Sequence, residues 1–175
     1  MNERLVIRDF GPADSVSQLT VLLHAAYAAL ASQGFRYMAS HQDDAKTRER
    51  LAAGFPVVAE LDGSIVATVT LYGTLAASIN PWYTRKGVFR FGQFAVRPDL
   101  QKRGIGLRLL QFIERRARER GAEELALDTA EGASHLRVWY EKLGFRQVGW
   151  ISWPDTNYRS VVLSKRLAGN LPVSE

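Results

Sequence analysis

Phe94-Ala95-Val96-Arg97-Pro98-Asp99-Leu100-Gln101-Lys102-Arg103-Gly104-Ile105-Gly106 is the stretch from which the rest of the chain can be ordered. Upstream of it, Gly87–Val96 reads as a strand carrying Phe89, Phe91, Phe94 and Val96, and Pro98 ends that strand. Downstream, Gly104 to about Arg120 reads as an amphipathic helix with a stripe of Ile105, Leu109, Leu110, Ile113 and Ala117, closed by Gly121. No Ser, Thr, Asp or Asn stands immediately before Gly104, so the first N–H groups of the helix need another partner. Glycines at alternate positions let a ligand approach the backbone closely. Lys102, Arg103 and Arg108 add positive charge beside the positive end of the helix dipole. A phosphate or diphosphate would satisfy all of these features together. A Walker A loop does not fit, because Leu107-Arg108 follows Gly106, and a dinucleotide fingerprint lacks its third glycine, since Leu109 stands there. The plainer alternative is a tight turn into a helix whose basic residues face water.

Working outward, Arg4–Arg8 alternates as an edge strand. Asp14 or Ser15 can cap a helix whose apolar positions are Val16, Leu19, Leu22, Leu23, Ala26, Tyr27 and Leu30, ended by Gly34. A more polar helix fits about Asp43–Ala53. Phe55–Leu61 and Ile65–Leu71 are strands joined at Asp62-Gly63, a strong hairpin signal. Gly73–Lys86 is a long loop, of the kind that often carries function. After the central helix come a strand at Glu124–Thr129, a helix at Ser134–Leu143 and closing strands at Phe145–Trp150 and Tyr158–Leu163. The order predicts a mixed α/β (α+β) single domain over 1–167, with a polar tail at 168–175. The helix between the strands near 87–96 and 124–129 is its one crossover.

Composition narrows the chemistry. The 175 residues contain no cysteine, which removes disulfides, a thiol nucleophile and cysteine zinc sites. The three histidines are scattered and form no metal-ligand pattern, so no metal is expected. There is no run of ~20 apolar residues and no secretory pattern at the start, so no membrane is expected and the simplest location is cytoplasmic. The net charge of +5 suggests an anionic partner. Arg115, Arg116, Arg118 and Arg120 alternate with Glu114 and Glu119, however, which describes a charged helix face and not a nucleic-acid stripe.

Val96-x4-Gln101-x-x-Gly104-x-Gly106 resembles the signature of the GCN5-related N-acetyltransferase (GNAT) superfamily. Trp139-Tyr140-Glu141-Lys142-Leu143-Gly144-Phe145 is similar to that family's second aromatic segment, and the coarse element order fits from about Leu5 to Leu163. The resemblance implies a mostly antiparallel sheet flanked by helices with splayed central strands. It implies acetyl-CoA as co-substrate, its diphosphate held by Gln101, Lys102, Arg103, Gly104, Ile105 and Gly106, and its pantetheine arm paired with Phe94, Ala95 and Val96. It makes Tyr140 the proton donor to the departing sulfur, and it allows a homodimer. The implied acceptor is a primary amine on a small molecule or peptide.

Two departures stand out. Many relatives carry a glutamate on the strand before the cradle; here Gln93 is the nearest polar group, which cannot act as a base but could orient a water, and Glu60, Glu131 and Asp155 are the candidate bases. Ala133 stands where the family often has an asparagine, and Ser134 can cap the helix there. Phe35, Tyr37, Trp82, Tyr83, Trp150, Trp153 and Tyr158 suggest an aromatic acceptor mouth, while Arg36, Arg85 and Lys86 would suit a carboxylate. The missing carboxylate also keeps alive a non-catalytic acyl-CoA-binding sensor or assembly domain.

Overall fold

In the computed structural model, residues 4–167 are described; the expected polar tail at 168–175 lies outside them. The alternating segment Leu5–Asp9 forms strand β1, which pairs only with β2, Phe55–Leu61. Helix α1, Val16–Ser32, starts at Ser15, whose hydroxyl accepts the Gln18 N–H. Helix α2, Asp44–Ala52, starts at Asp43, which accepts from the Lys46 N–H. Asp62 and Gly63 both take positive φ, 48° and 83°, and turn β2 tightly into β3, Ser64–Tyr72. Then follow β4 (Val88–Val96), α3 (Ile105–Glu119), β5 (Glu124–Ala130), α4 (Ser134–Lys142), β6 (Arg146–Ile151) and β7 (Ser160–Arg166).

The seven strands lie in the order β1-β2-β3-β4-β5-β7-β6. Only β4 and β5 run parallel, bridged by α3; every other neighbouring pair is antiparallel. One face of the sheet carries α3 and α4, where Leu109, Leu110, Ile113 and Tyr140 pack on Leu71, Phe91, Leu125 and Leu163. The opposite face carries α1 and α2 over Val58 and Ala95, with the loop after β3 seating Tyr83 on Val88, Ala126 and Val162. That loop contains a single 3-10 turn, Pro81–Thr84.

The feature that positions the site is where pairing stops. β4 and β5 are bonded only at Val88–Arg90 against Glu124–Ala126. Beyond Arg90, β4 continues alongside β3 to Val96, and β5 continues alongside β7 to Ala130. A register shift between Thr68 and Thr70, with Gln93 opposite at φ 49°, bends β4 away from its parallel neighbour. The central strands therefore splay, as the resemblance implied. Two of the four arginines of α3 pair within the chain: Arg116 with Asp9 and Arg115 with Glu119.

Candidate active site

The splayed end of β4 runs straight into the glycine turn. Pro98–Leu100 makes one 3-10 turn anchored by buried Leu100, and the Gln101 side-chain amide donates back to the Val96 carbonyl at 3.1 Å. Lys102 and Gly104 have φ of 61° and 82°, so alternate residues of the turn are left-handed. The first helical bond runs from the Arg108 N–H to the Gly104 carbonyl at 3.1 Å. Gly104 has no side chain to cap the helix, and among the described residues the amides of Ile105, Gly106 and Leu107 reach no protein acceptor. A methyl group on Gly106 would lie 3.5 Å from the Phe94 ring and 3.6 Å from Val96, so α3 begins directly over the end of β4. The structure thus brings Phe94, Val96 and Gln101–Gly106 together around one open turn. Ile105 contributes its amide there while its side chain is buried in the core. Arg108 lies farther along, in a shallow groove with Ile7, Phe112 and Arg115.

Tyr140 reaches the same gap from α4. Its ring packs against Phe91, Phe145 and Trp139 at 6.1, 5.6 and 4.9 Å. Burial pushes its hydroxyl pKa well above the ordinary tyrosine value, and the neighbouring Tyr27 and Tyr37 push it further. Among the described residues that hydroxyl has no hydrogen-bond partner. Tyr27, from α1, donates to the Phe94 carbonyl at 3.1 Å. The Tyr37 hydroxyl lies 2.8 Å from Thr129 Oγ1 and accepts the Ala130 N–H at 2.9 Å. Tyr27 from α1, Tyr37 from the stretch that follows it and Tyr140 from α4 therefore converge where β4 and β5 part.

Several expected polar roles do not survive the geometry. Gln93 is buried: its carbonyl accepts from the Gln42 amide at 2.8 Å and its amide donates to Thr70, so both ends are spent inside the protein. Glu60 pairs with Arg8 at the far edge of the sheet, and Glu131 pairs with Arg159 at 2.7 Å. Asp155 sits on the outer rim, in a depression of about 350 Å³ with Arg36, Met38 and His41. Ser134 does not cap α4; Ala133 occupies that position, and no side chain caps the helix. Of the aromatic residues, Phe35, Tyr37 and Tyr158 form a cluster with Tyr27, and Trp153 stacks on Tyr83. Trp150 is exposed on the outer edge strand under Arg159.

Sequence reasoning missed Asp128. It lies on β5 below the cluster, where one oxygen accepts from the Tyr83 hydroxyl at 2.7 Å and the other from the Trp153 indole at 2.8 Å. Its one signal was a lone carboxylate within the mostly apolar run Leu125–Ala130. Arg50 and Arg90 also face this side and were missed; nothing in their spacing distinguished them. Among the described residues no helix is long and apolar enough to cross a membrane, and no group of three or more His, Cys, Asp or Glu is placed to hold a metal ion.

The fold has counterparts among known proteins. S-(2-succino)cysteine N-acetyltransferase of Bacillus subtilis is 32% identical over 134 residues, spanning 75% of this chain and 79% of that protein. A GNAT family acetyltransferase from Elizabethkingia anophelis, solved with acetyl-CoA bound, superposes with a TM-score of 0.67 at 18% identity, covering 93% of this chain and 98% of that one. PaiA N-acetyltransferase of Thermoplasma acidophilum, solved with coenzyme A, gives 0.73 at 13% identity, covering 93% and 99%. The profile of the Acetyltransferase (GNAT) family matches residues 20–145, a span that holds both the glycine turn and Tyr140. With a splayed β4–β5 pair, an uncapped α3 and that match, the chain belongs to the GNAT family of acetyltransferases.

Proposed function

We propose that the chain transfers the acetyl group of acetyl-CoA directly to the primary amine of a small molecule or peptide. The observation that carries this reading is the set of unclaimed amides at Ile105, Gly106 and Leu107, opening onto the gap between β4 and β5. Those residues fit a diphosphate: backbone donors, a positive dipole end and the flanking Lys102 and Arg103 all favour negative charge. Gln101, Lys102, Arg103, Gly104, Ile105 and Gly106 form the cradle. The stretch Phe94, Ala95 and Val96, paired with β3 but without a strand partner on its β5 side, accepts the pantetheine arm as an added strand. Acetyl-CoA, when bound, supplies an activated carbonyl on a thioester.

The chain's own groups supply the rest. A backbone N–H of the splayed β4 segment polarises the thioester carbonyl. The amine gives up its surplus protons to water and its nitrogen forms its bond to the carbonyl carbon; the carbon–sulfur bond breaks, Tyr140 gives its proton to the departing sulfur, and water returns a proton to the Tyr140 oxygen. With no cysteine in the chain, no cysteinyl acyl-enzyme is available, so transfer is direct. The acceptor enters from the face carrying α1 and α2, between the Tyr27–Tyr37–Tyr158 cluster and Asp128.

Calorimetry with acetyl-CoA tests the cradle, with Gly104→Glu beside the wild type. At φ 82° a side chain is strained, and its carboxylate would face the diphosphate. A methyl group there meets nothing within 4 Å, so the variant stays folded. Binding weakens by about thirty-fold or more, roughly 2 kcal/mol. Unchanged binding in a folded Gly104→Glu protein would sink the cradle. Thiol release with a panel of amines then separates transfer from binding without turnover.

A further inference from the structure

The face of the sheet opposite α3 and α4 holds charged side chains that pair with nothing of opposite sign among the described residues. Arg90 stands on β4 at its last paired position before the gap opens. Its guanidinium carbon lies 4.2 Å over the Tyr72 ring and 5.6 Å from the Tyr83 ring, its Nε is buried without a hydrogen-bond partner, and among the described residues it makes no ion pair. Such a buried orphan donor is costly unless something else satisfies it. Arg50 approaches from α2. One of its terminal nitrogens donates to the Gln42 side-chain carbonyl at 2.6 Å, and the other lies 3.6 Å from where a methyl group on Gly92 would stand. The Tyr72 ring edge lies at the same 3.6 Å from that point. The Arg50 guanidinium and the Tyr72 ring thus border the bare backbone of Gly92, and the Arg90 guanidinium, from two residues earlier on the same strand, lies over that same ring. Asp128 lies on the neighbouring strand, two residues past Ala126, the register partner of Arg90. It is held only by the neutral donors Tyr83 and Trp153 and likewise has no cationic partner among the described residues.

A cation pair and an anion held apart by aromatic side chains, on one face of the sheet, are the complement of a zwitterion. The order along the strands also has a direction. The cations lie on the closed side and the splayed segment on the other, so a ligand with its carboxylate over Gly92 presents its nitrogen towards the gap. We infer that the acceptor is a free amino acid: Arg90 and Arg50 take its α-carboxylate over Gly92, and Asp128 receives its ammonium group. This specificity rests on the acetyl-transfer reading of the same site. It replaces the exposed Arg36, Arg85 and Lys86 as the cations that would meet a carboxylate.

The test uses the full chain, acetyl-CoA and matched sets of acceptors: phenylalanine, leucine and lysine, each with its methyl ester and its decarboxylated amine. Ester and amine keep the nucleophile and lose the carboxylate. The wild type is expected to prefer at least one amino acid over both its counterparts by about tenfold or more in kcat/KM. Arg90→Met raises the KM for that amino acid by about tenfold and erases the preference, with kcat and the acetyl-CoA Kd unchanged. Arg90→Lys restores part of the preference, because the charge returns without the planar fork. Calorimetric binding of acetyl-CoA and the thermal midpoint certify that each variant is folded. Esters and amines accepted as well as the acids, or a preference that survives Arg90→Met, would overturn the inference. So would a wild type that binds acetyl-CoA but acetylates no member of the sets. Failure to bind acetyl-CoA at all is a separate result, and it strikes the cradle instead.

Discussion

Tyr140 carries two demands that conflict in most tyrosines: it is packed as a core residue, yet its hydroxyl faces no protein partner among the described residues. The aromatic collar of Phe91, Trp139 and Phe145 holds the ring still, and burial keeps the proton on the oxygen. A donor to a departing thiolate needs both properties. Tyr140→Phe should leave the acetyl-CoA Kd and the thermal midpoint near wild type, since no hydrogen bond is lost, while kcat falls by about a hundredfold. A variant that turns over at the wild-type rate would remove Tyr140 from the chemistry. The residue was legible in the sequence because it sits inside a seven-residue segment with a family resemblance. Arg90, Arg50 and Asp128 were not, because their significance is created by register: Arg90 opposite Ala126, Asp128 two residues on, and Gly92 left bare. Gln93 misled in the other direction. Its position beside the cradle suggested a water-orienting role, but its positive φ and the bulge beside it turn the side chain into the Gln42–Thr70 network.

Elements were read well where a local signal closed them. The hairpin at Asp62-Gly63, the apolar stripe of α3 and the edge position of β1 all follow from periodicity and turn chemistry. The insertion of β7 between β5 and β6 was not legible, since it depends on which strand edge the chain meets after a long turn. Gly54 shows how tightly elements are joined next to the acceptor face. It links the end of α2 to β2, and a methyl group there would stand 2.4 Å from the Leu71 carbonyl oxygen, 2.7 Å from the Tyr72 ring and 2.9 Å from Thr70. The obstructing oxygen belongs to a central strand and cannot yield cheaply. Gly54→Ala should therefore lower stability by about 1–3 kcal/mol, read as a shift of the urea midpoint. It should also raise the acceptor KM, because the displaced Tyr72 ring lies under Arg90. A stability within error of wild type would show that β3 can shift as a body.

At the scale of the whole molecule, opposite ends of the pH range are controlled by different groups. Asp14 accepts two hydrogen bonds from the Arg8 guanidinium, at 2.7 and 2.9 Å, and one from the Gly11 N–H at 2.7 Å. Arg8 first, then the Gly11 amide, holds its carboxyl below the usual value. The unfolded chain then takes up the proton first, near pH ~3.9, so this contribution is complete above that pH and is lost as pH falls through the lower folded value. Tyr83 and Tyr140 act in the opposite sense. Burial raises both, and the Asp128 carboxylate raises Tyr83 further. Below pH ~10 both states keep these protons and nothing depends on pH; above it the unfolded chain ionises while the folded chain does not, and stability falls. Each such tyrosine contributes about 1.4 kcal/mol per pH unit to that slope. Urea midpoints measured across the pH range should therefore form a plateau that declines below about pH 4 and above about pH 10. Tyr140→Phe should flatten the alkaline decline by one tyrosine's share while leaving the acid limb untouched. An alkaline slope identical in the two proteins would mean that the Tyr140 hydroxyl titrates as freely as one in water, and a phenol that free could not be the enclosed proton donor.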